Sequence, residues 1–366
     1  MKERLRKRIS ELTSIIGIGG YEWDVARYIH NALKDDVDSI EQLGNGTLVC
    51  VKKGAKPGPR VLVTAHMDEV GFEVNNITED GYLLFDAIGG ATIACMPARR
   101  VLVKTRDGKV LPGVIGTRAG HLLTPEQIAK TQTVRQSYVD IFVSSRAEAE
   151  ALGVGYGTQI VPDSPATSCG PDGDYIVSRA FDDRAQCAII IETLKNLKAE
   201  DFCGEIYAIF NVLEETTVKA IMGPMEKYPC KYGLFLDTIP CGDVPDVNAK
   251  VELPVYMKKG PVIMYSQRYT AGLLRAGSHP KLIDALIAAA VKTEIPYQQY
   301  AFNGAGWITD ATGGVLGGQG MAVVTVGLPR RYSHSPSEVL HLSDAVAEQK
   351  LVEEFLKNEV DLNMLG

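Results

Sequence analysis

The chain has 366 residues, 45% of them hydrophobic, which is enough for about two domains and a large buried core. A net charge of −7 and a pI near 5.5 argue against nucleic acid or an anionic membrane as partner, because those surfaces need concentrated Lys and Arg. A small molecule or peptide is the expected ligand. The seven cysteines lack CxxC spacing and are odd in number, so reduced thiols in the cytoplasm are expected.

Leu5, Ile9, Leu12 and Ile16 form an apolar stripe that predicts a helix over 2–16. Lys2, Arg4, Arg6, Lys7 and Arg8 then read as its solvated face rather than a nucleic-acid arm, and they interrupt any signal-peptide core. No apolar run of about 18 residues occurs, so no membrane span is expected. A second helix over 22–35 carries Val25, Ile29 and Leu33 on one face. Strands follow near 37–43 and 47–52, then a strand over 60–65 that reads as buried on both faces. From 71 to 165 the texture changes to short strands with Gly-rich turns, with only "SRAEAEALG" helical. An α/β pattern then returns: strand "YIVSRAF", helix 183–198, strands 205–212 and 232–237, helix 279–292, strand 321–327 and helix 341–358. The expected fold is α/β, a central mixed sheet with helices on both faces and an inserted small all-β domain. The boundaries are 1–70 plus 166–366 for the α/β part and 71–165 for the insert. The Gly-rich "GGVLGGQG" at 313–320 lacks nucleotide-binding spacing and reads as a loop.

Several strand ends in the α/β part finish in acids or histidine: His66 and Asp68, Asp182 and Asp183, Glu214 and Glu215, Asp237, and His334. Ligands of open α/β sheets sit beyond the carboxyl ends of strands. The chemistry that uses such a set is a two-metal hydrolytic site, with one bridging carboxylate, an imidazole and a further carboxylate for each ion, and a water between them. A sixth group must take the proton of that water. In "LEE" adjacent side chains point to opposite sides, so one glutamate can ligate while the other stays free. Asp68, two positions after His66, can accept the ring N–H and fix its tautomer.

The stretches "HMDEVGF", "FDDRAQC", "LEE", "LDT", "KKGPVI", "TDA" and "LPRRYSHSPSE" resemble, in order and spacing, the dinuclear metallo-aminopeptidases. That family includes the tetrahedral (TET), glutamyl and deblocking aminopeptidases, and some relatives have been labelled endoglucanases. The resemblance implies a cytoplasmic metallo-aminopeptidase that cleaves N-terminal residues from short peptides with two divalent ions, zinc or cobalt. It assigns His66 and Asp237 to one ion, Glu215 and His334 to the other, Asp182 to both, Glu214 as general base and Asp68 as the partner of His66. It makes the all-β insert a dimerisation domain, with dimers assembling into a tetrahedral homododecamer that admits peptides but not folded proteins.

The chain departs from that pattern where relatives carry Val-Gly-Leu-Arg-Gly-Ala after the two glutamates and this one has "TTVKAI", and where an aspartate often follows the Gly-Pro turn but here the text is "GPVIMYSQ". The pocket for the substrate's amino end is therefore expected to differ. Asp310 is a candidate for recognising that amino group, with a helix N-cap as its competing role. His30, His279 and His341 are expected to be structural; His121 in the insert could reach a neighbouring subunit. Two other functions fit less of the pattern. One is a metal-binding assembly protein of altered specificity or without turnover. The other is a glycosidase using Glu214 and Glu215, whose adjacency suits a sugar site poorly.

Overall fold

The computed structural model describes residues 1–269, 274–302, 306–317 and 320–365. Four parallel strands form the centre of a ten-stranded mixed sheet: Cys203–Asn211, Lys56–His66, Tyr232–Pro240 and Ala322–Arg330, in that lateral order. Antiparallel Leu48–Lys53 and Ser39–Gln42 extend one side. Val262–Tyr269 and Leu274–Gly277 extend the other, with Gln298–Ala301 and Gly306–Trp307 also paired to Val262–Tyr269.

Alternate residues of the central strands enter two separate cores. Val61, Val63, Ala65, Leu234 and Leu236 pack beneath the helices Lys2–Ser14, Trp23–Leu33, Phe181–Asn196, Pro280–Lys292 and Leu342–Leu356. Leu62, Tyr207, Ile209 and Phe235 face the opposite side, covered by the short helices Met222–Lys227 and Asp310–Leu316. Burial on both faces is why these strands read as continuous apolar runs. The expected class, a mixed sheet with helices on both faces, is the observed one, with one face much more heavily covered.

Between Lys56–His66 and Phe181–Asn196 the chain builds a closed six-stranded barrel of Gly71–Ile77, Leu83–Ile88, Arg100–Lys104, Val110–Ile115, Val139–Asp140 and Gln159–Pro162. Its own core holds Phe72, Val74, Phe85, Val101, Val103, Ile115 and Ile160. The expected helix there spans Arg146–Ala151. A second, Pro125–Ile128, was not expected; Thr124 and Gln127 form its capping box, a signal present in "TPEQ".

Other differences have local causes. Tyr175–Ser178 is not in the central sheet but pairs with Thr167–Cys169 and Glu338–His341 in a separate three-stranded sheet, and the expected strand's last residue, Phe181, already starts a helix. The tract at 313–320 is not simply a loop: Gly313 and Gly314 lie in helix Asp310–Leu316, buried where Phe235 and Ile221 approach too closely for a Cβ; Gly318 and Gln319 lie outside the described residues. The N-terminal cations are not merely solvated. Lys2 and Arg6 pair with Asp174 at 2.6 and 2.9 Å, and Arg8 with Glu192 at 2.9 Å, which docks this helix on the body. Among the described residues no helix is long and apolar enough to cross a membrane, and all seven cysteines are free.

Candidate metal centre

The site lies at the carboxyl ends of the four parallel strands. His66 ends its strand and is only 2% exposed. Its amide donates to Asp183 Oδ2 at 3.2 Å and its carbonyl accepts the Cys187 thiol at 3.1 Å. The ring Nδ1 faces the Asp68 carbonyl at 3.2 Å and Asp68 Oδ1 at 3.3 Å. A neutral ring therefore donates from Nδ1, which turns the Nε2 lone pair toward the site. Nε2 lies 3.2 Å from Asp182 Oδ1 and 3.8 Å from Glu214 Oε2. The other oxygen of Asp182 is 3.1 Å from His334 Nε2, which is 3.3 Å from Glu215 Oε1. Asp237, near the end of its strand, is 5% exposed, and its Oδ1 accepts the Thr238 amide at 2.6 Å.

Two three-residue groups result, His66–Asp182–Asp237 and Asp182–Glu215–His334, each with potential ligand atoms all within 4.8 Å of one another. Asp182 belongs to both. Among the described residues, Asp183 Oδ1 and Glu215 Oε1 are buried without a well-formed hydrogen bond, the latter having only the ion-pair contact with His334 Nε2 at 3.3 Å, a costly state that a cation relieves for an oxygen of the ligand set. Carboxylate oxygens and imidazole nitrogens at this mutual distance suit zinc-like divalent ions.

The electrostatics record the same crowding. Burial pushes the Asp182 carboxyl up, but Arg330, His334 and His66 outweigh it and hold it well below the usual range. Burial, reinforced by neighbouring charge, drives Asp237 and Glu214 well above it. Burial opposes protonation of both imidazoles, yet the adjacent carboxylates win. His66 is raised well above its ordinary value, and His334, with Glu215 the strongest opposing influence, to about 11.

Three supporting residues escaped the sequence reading of roles. Glu22, 3% exposed, accepts the Leu213 amide at 3.0 Å. Arg330, 1% exposed, donates to Asp182 Oδ2 at 2.8 Å and Ser333 Oγ at 2.6 Å and pairs closely with Glu338. Glu338 in turn accepts the amides of Phe181 at 2.9 Å, Asp182 at 3.4 Å and His334 at 2.9 Å. The only signal for the last two was two charges flanking His334 in "RRYSHSPSE", which a loop reading treats as solvated. Asp68 also does more than expected: its two oxygens accept the amides of Glu214 and Glu215, each at 3.1 Å.

Asp310 is not the N-cap of its helix. Thr309 caps it, and both Asp310 oxygens accept from Asn211 Nδ2 at 3.0 and 2.9 Å. Asn211 is the register neighbour of His66, and burial lifts the Asp310 carboxyl to about 7. His279 and His341 cap helices Pro280–Lys292 and Leu342–Leu356, while His30 and His121 are exposed. His341 also meets Asp172 and Asp174. There, however, Asp174 is taken by Lys2 and Arg6, and Nδ1 accepts the Ser343 amide, which leaves a proton rather than a lone pair on a neutral ring's Nε2.

Fold and site together define a hydrolase of the aminopeptidase class. Residues 46–351 match the model for the M42 glutamyl aminopeptidases, and the chain belongs to that family. Aminopeptidase APDkam598 from the archaeon Desulfurococcus kamchatkensis has a similar structure, with a TM-score of 0.91 and 30% identity over 98% of this chain and 96% of its own. The Pyrococcus horikoshii TET1 peptidase, which can assemble into a tetrahedron or a large octahedral shell, has a TM-score of 0.83 and 28% identity over 96% and 99%. Glutamyl aminopeptidase of Lactococcus lactis is 27% identical over 345 residues, 93% of each chain.

Proposed function

We propose that the protein removes N-terminal residues from short peptides at a centre for two divalent ions, zinc or cobalt. The observation that carries this reading is the sharing of Asp182 by two imidazole–carboxylate groups. In it, His66 and Asp237 hold one ion, His334 and Glu215 the other, and Asp182 both. When bound, the ions would polarise the scissile carbonyl and lower the pKa of the attacking water.

The chain's own residues do the rest. Glu214, 8% exposed with Oε2 3.8 Å from His66 Nε2, takes the proton of the attacking water and returns it to the leaving amine. Asp68 holds the His66 ring and the amides of both glutamates. Asp310, a buried carboxylate fixed by Asn211, is a partner for the substrate's free amino group.

In the same reading, residues 71–165 are a dimerisation domain inserted into a catalytic domain of 1–70 plus 166–366. Exposed Leu122, Ile128 and Phe142 supply apolar contact surface on it. Dimers then build a twelve-subunit shell in the cytoplasm, as the assembly of the TET1 relative suggests, and the shell restricts access to peptides. A glycosidase is disfavoured because Glu214 turns toward His66 and Glu215 toward His334, so the two flank the ligand groups rather than a sugar.

The test is zinc- or cobalt-loaded protein assayed on aminoacyl-anilides and short peptides. Glu214→Gln should lower turnover at least ~100-fold while metal content stays near that of wild type. Unchanged turnover rejects Glu214 as base; no cleavage by fully loaded, assembled wild type favours a metal-binding assembly protein without turnover.

A further inference from the structure

Glu22 stands at the start of helix Trp23–Leu33, yet its side chain bonds none of that helix's amides. Its Oε1 instead accepts the Gly20 amide at 2.9 Å and the Leu213 amide at 3.0 Å, 191 positions away. The next two amides, of Glu214 and Glu215, go to the two oxygens of Asp68 at 3.1 Å each. Three consecutive N–H groups are thus captured by two buried carboxylates from other elements.

The captured segment needs such restraint. Leu213 is left-handed at φ 60°, a conformation that a side-chain-bearing residue keeps only when its surroundings impose it. The residues around it, Val212 and Thr216–Thr217, include no glycine to relax the turn. The clearance sits on the facing loop instead. A Cβ on Gly19 would lie 3.2 Å from Thr216 Cγ2 and 3.4 Å from Asp68 Oδ2, and Gly20 adopts φ 91°. Those two glycines bring Glu22 against the back of the segment that presents Glu214 and Glu215.

We infer that Glu22 is a positioning residue: by holding the Leu213 amide it fixes the left-handed turn and so the direction in which Glu214 meets the substrate. Its effect on turnover rests on the assignment of Glu214 above; its effect on the segment does not. Asp68 does not replace it, since it grips the two amides after Leu213, and the Thr217 amide at 2.8 Å holds the Leu213 carbonyl rather than its N–H.

Three variants and two readouts test this on the metal-loaded protein. Glu22→Ala should lower kcat ~10- to 100-fold with KM within ~3-fold, the cost of a misdirected catalytic group. Glu22→Gln keeps an acceptor oxygen and should recover most of kcat, whereas Glu22→Asp, one methylene short of Leu213, should not. Amide hydrogen exchange over residues 212–217 should accelerate in the Ala and Asp variants and not in Gln. A kcat in Glu22→Asp equal to wild type overturns the inference, and that variant decides should Glu22→Ala fail to fold. If wild type cleaves no peptide, the functional assignment falls; unaltered exchange at Leu213 in Glu22→Asp would then still reject the clamp, and faster exchange would sustain it.

Discussion

The two imidazoles of the centre are held in opposite ways. His66 lies in the sheet, its backbone bonded by Asp183 and Cys187 of helix Phe181–Asn196 and its ring by Asp68, with a side chain 2% exposed. His334 lies on a loop beyond its strand, at φ 55°, with a side chain 29% exposed. Its amide is held by Glu338, while its Nδ1 faces the Gly90 carbonyl at 3.3 Å and its own carbonyl accepts the Thr92 amide at 3.1 Å. One half is therefore built by the core of the α/β body. The other is completed by the segment that leads out of barrel strand Leu83–Ile88, so the barrel contributes to the centre as well as adjoining it.

The largest expected effect comes from removing what the halves share. Asp182→Ala should abolish tight metal binding at both positions and lower peptide turnover by more than ~1,000-fold, on the scale of a lost group that acts with its neighbours as a unit. Metal analysis after dialysis checks this; retention of one tightly held ion would show that the halves do not depend on a common carboxylate.

A smaller effect should separate them. A Cβ at Gly90 would lie 2.8 Å from His334 Nδ1, so Gly90→Ala must displace that ring or the loop. Metal affinity should weaken ~10- to 100-fold, the usual consequence of disturbing a ligand's outer contacts, at one position only. Calorimetric titration with zinc should show one site weakened and the other at its wild-type affinity, and equal loss at both would contradict the division.

The smallest lies beneath the His66–Asp237 half and reads as stability. Gln186 Nε2 donates to the Asp237 carbonyl at 2.7 Å and to Glu348 Oε1 at 2.8 Å. Burial lifts the Glu348 carboxyl from 4.5 to about 8. The unfolded chain ionises first as pH rises, so this group costs stability progressively between roughly pH 4.5 and 8 and the cost then levels off. Glu348→Gln should flatten that slope and raise stability near pH 8 by a few kcal/mol at most. Denaturant unfolding at pH 5 and pH 8 measures it; a parallel shift at both would place the effect in packing instead.

Much of this was legible before the fold was known, for a physical reason. The central strands are buried on both faces, so their apolar runs stand out, and the acids and imidazoles that end them are conspicuous against that background. What stayed hidden depended on contacts distant in sequence. Nothing near Glu22 says that it meets Leu213, and nothing near Arg330 says that it meets Asp182, 148 positions earlier. Val262–Tyr269 was missed because its polar Ser266, Gln267 and Arg268 mask the strand pattern. A helix start near Asp310 is one reading of the sequence, but Gly313 and Gly314 read as loop because glycine is unfavourable for helix on propensity alone; Gly314 is there to let the phenyl ring of Phe235 approach, and Gly313 to clear Val218 and Ile221.

Adjacent strands sit about 4.8 Å apart, so the four parallel strand ends form a row roughly 14 Å wide, while the potential ligand atoms of each candidate group are gathered within 4.8 Å. The inner two strands deliver His66 and Asp237 without leaving the ladder. The outer two bend inward through backbone of inverted handedness, at Leu213 on one flank and at Tyr332 and His334 on the other. The cage is thus two fixed posts and two hooked arms, with Asp182 of helix Phe181–Asn196 shared between them.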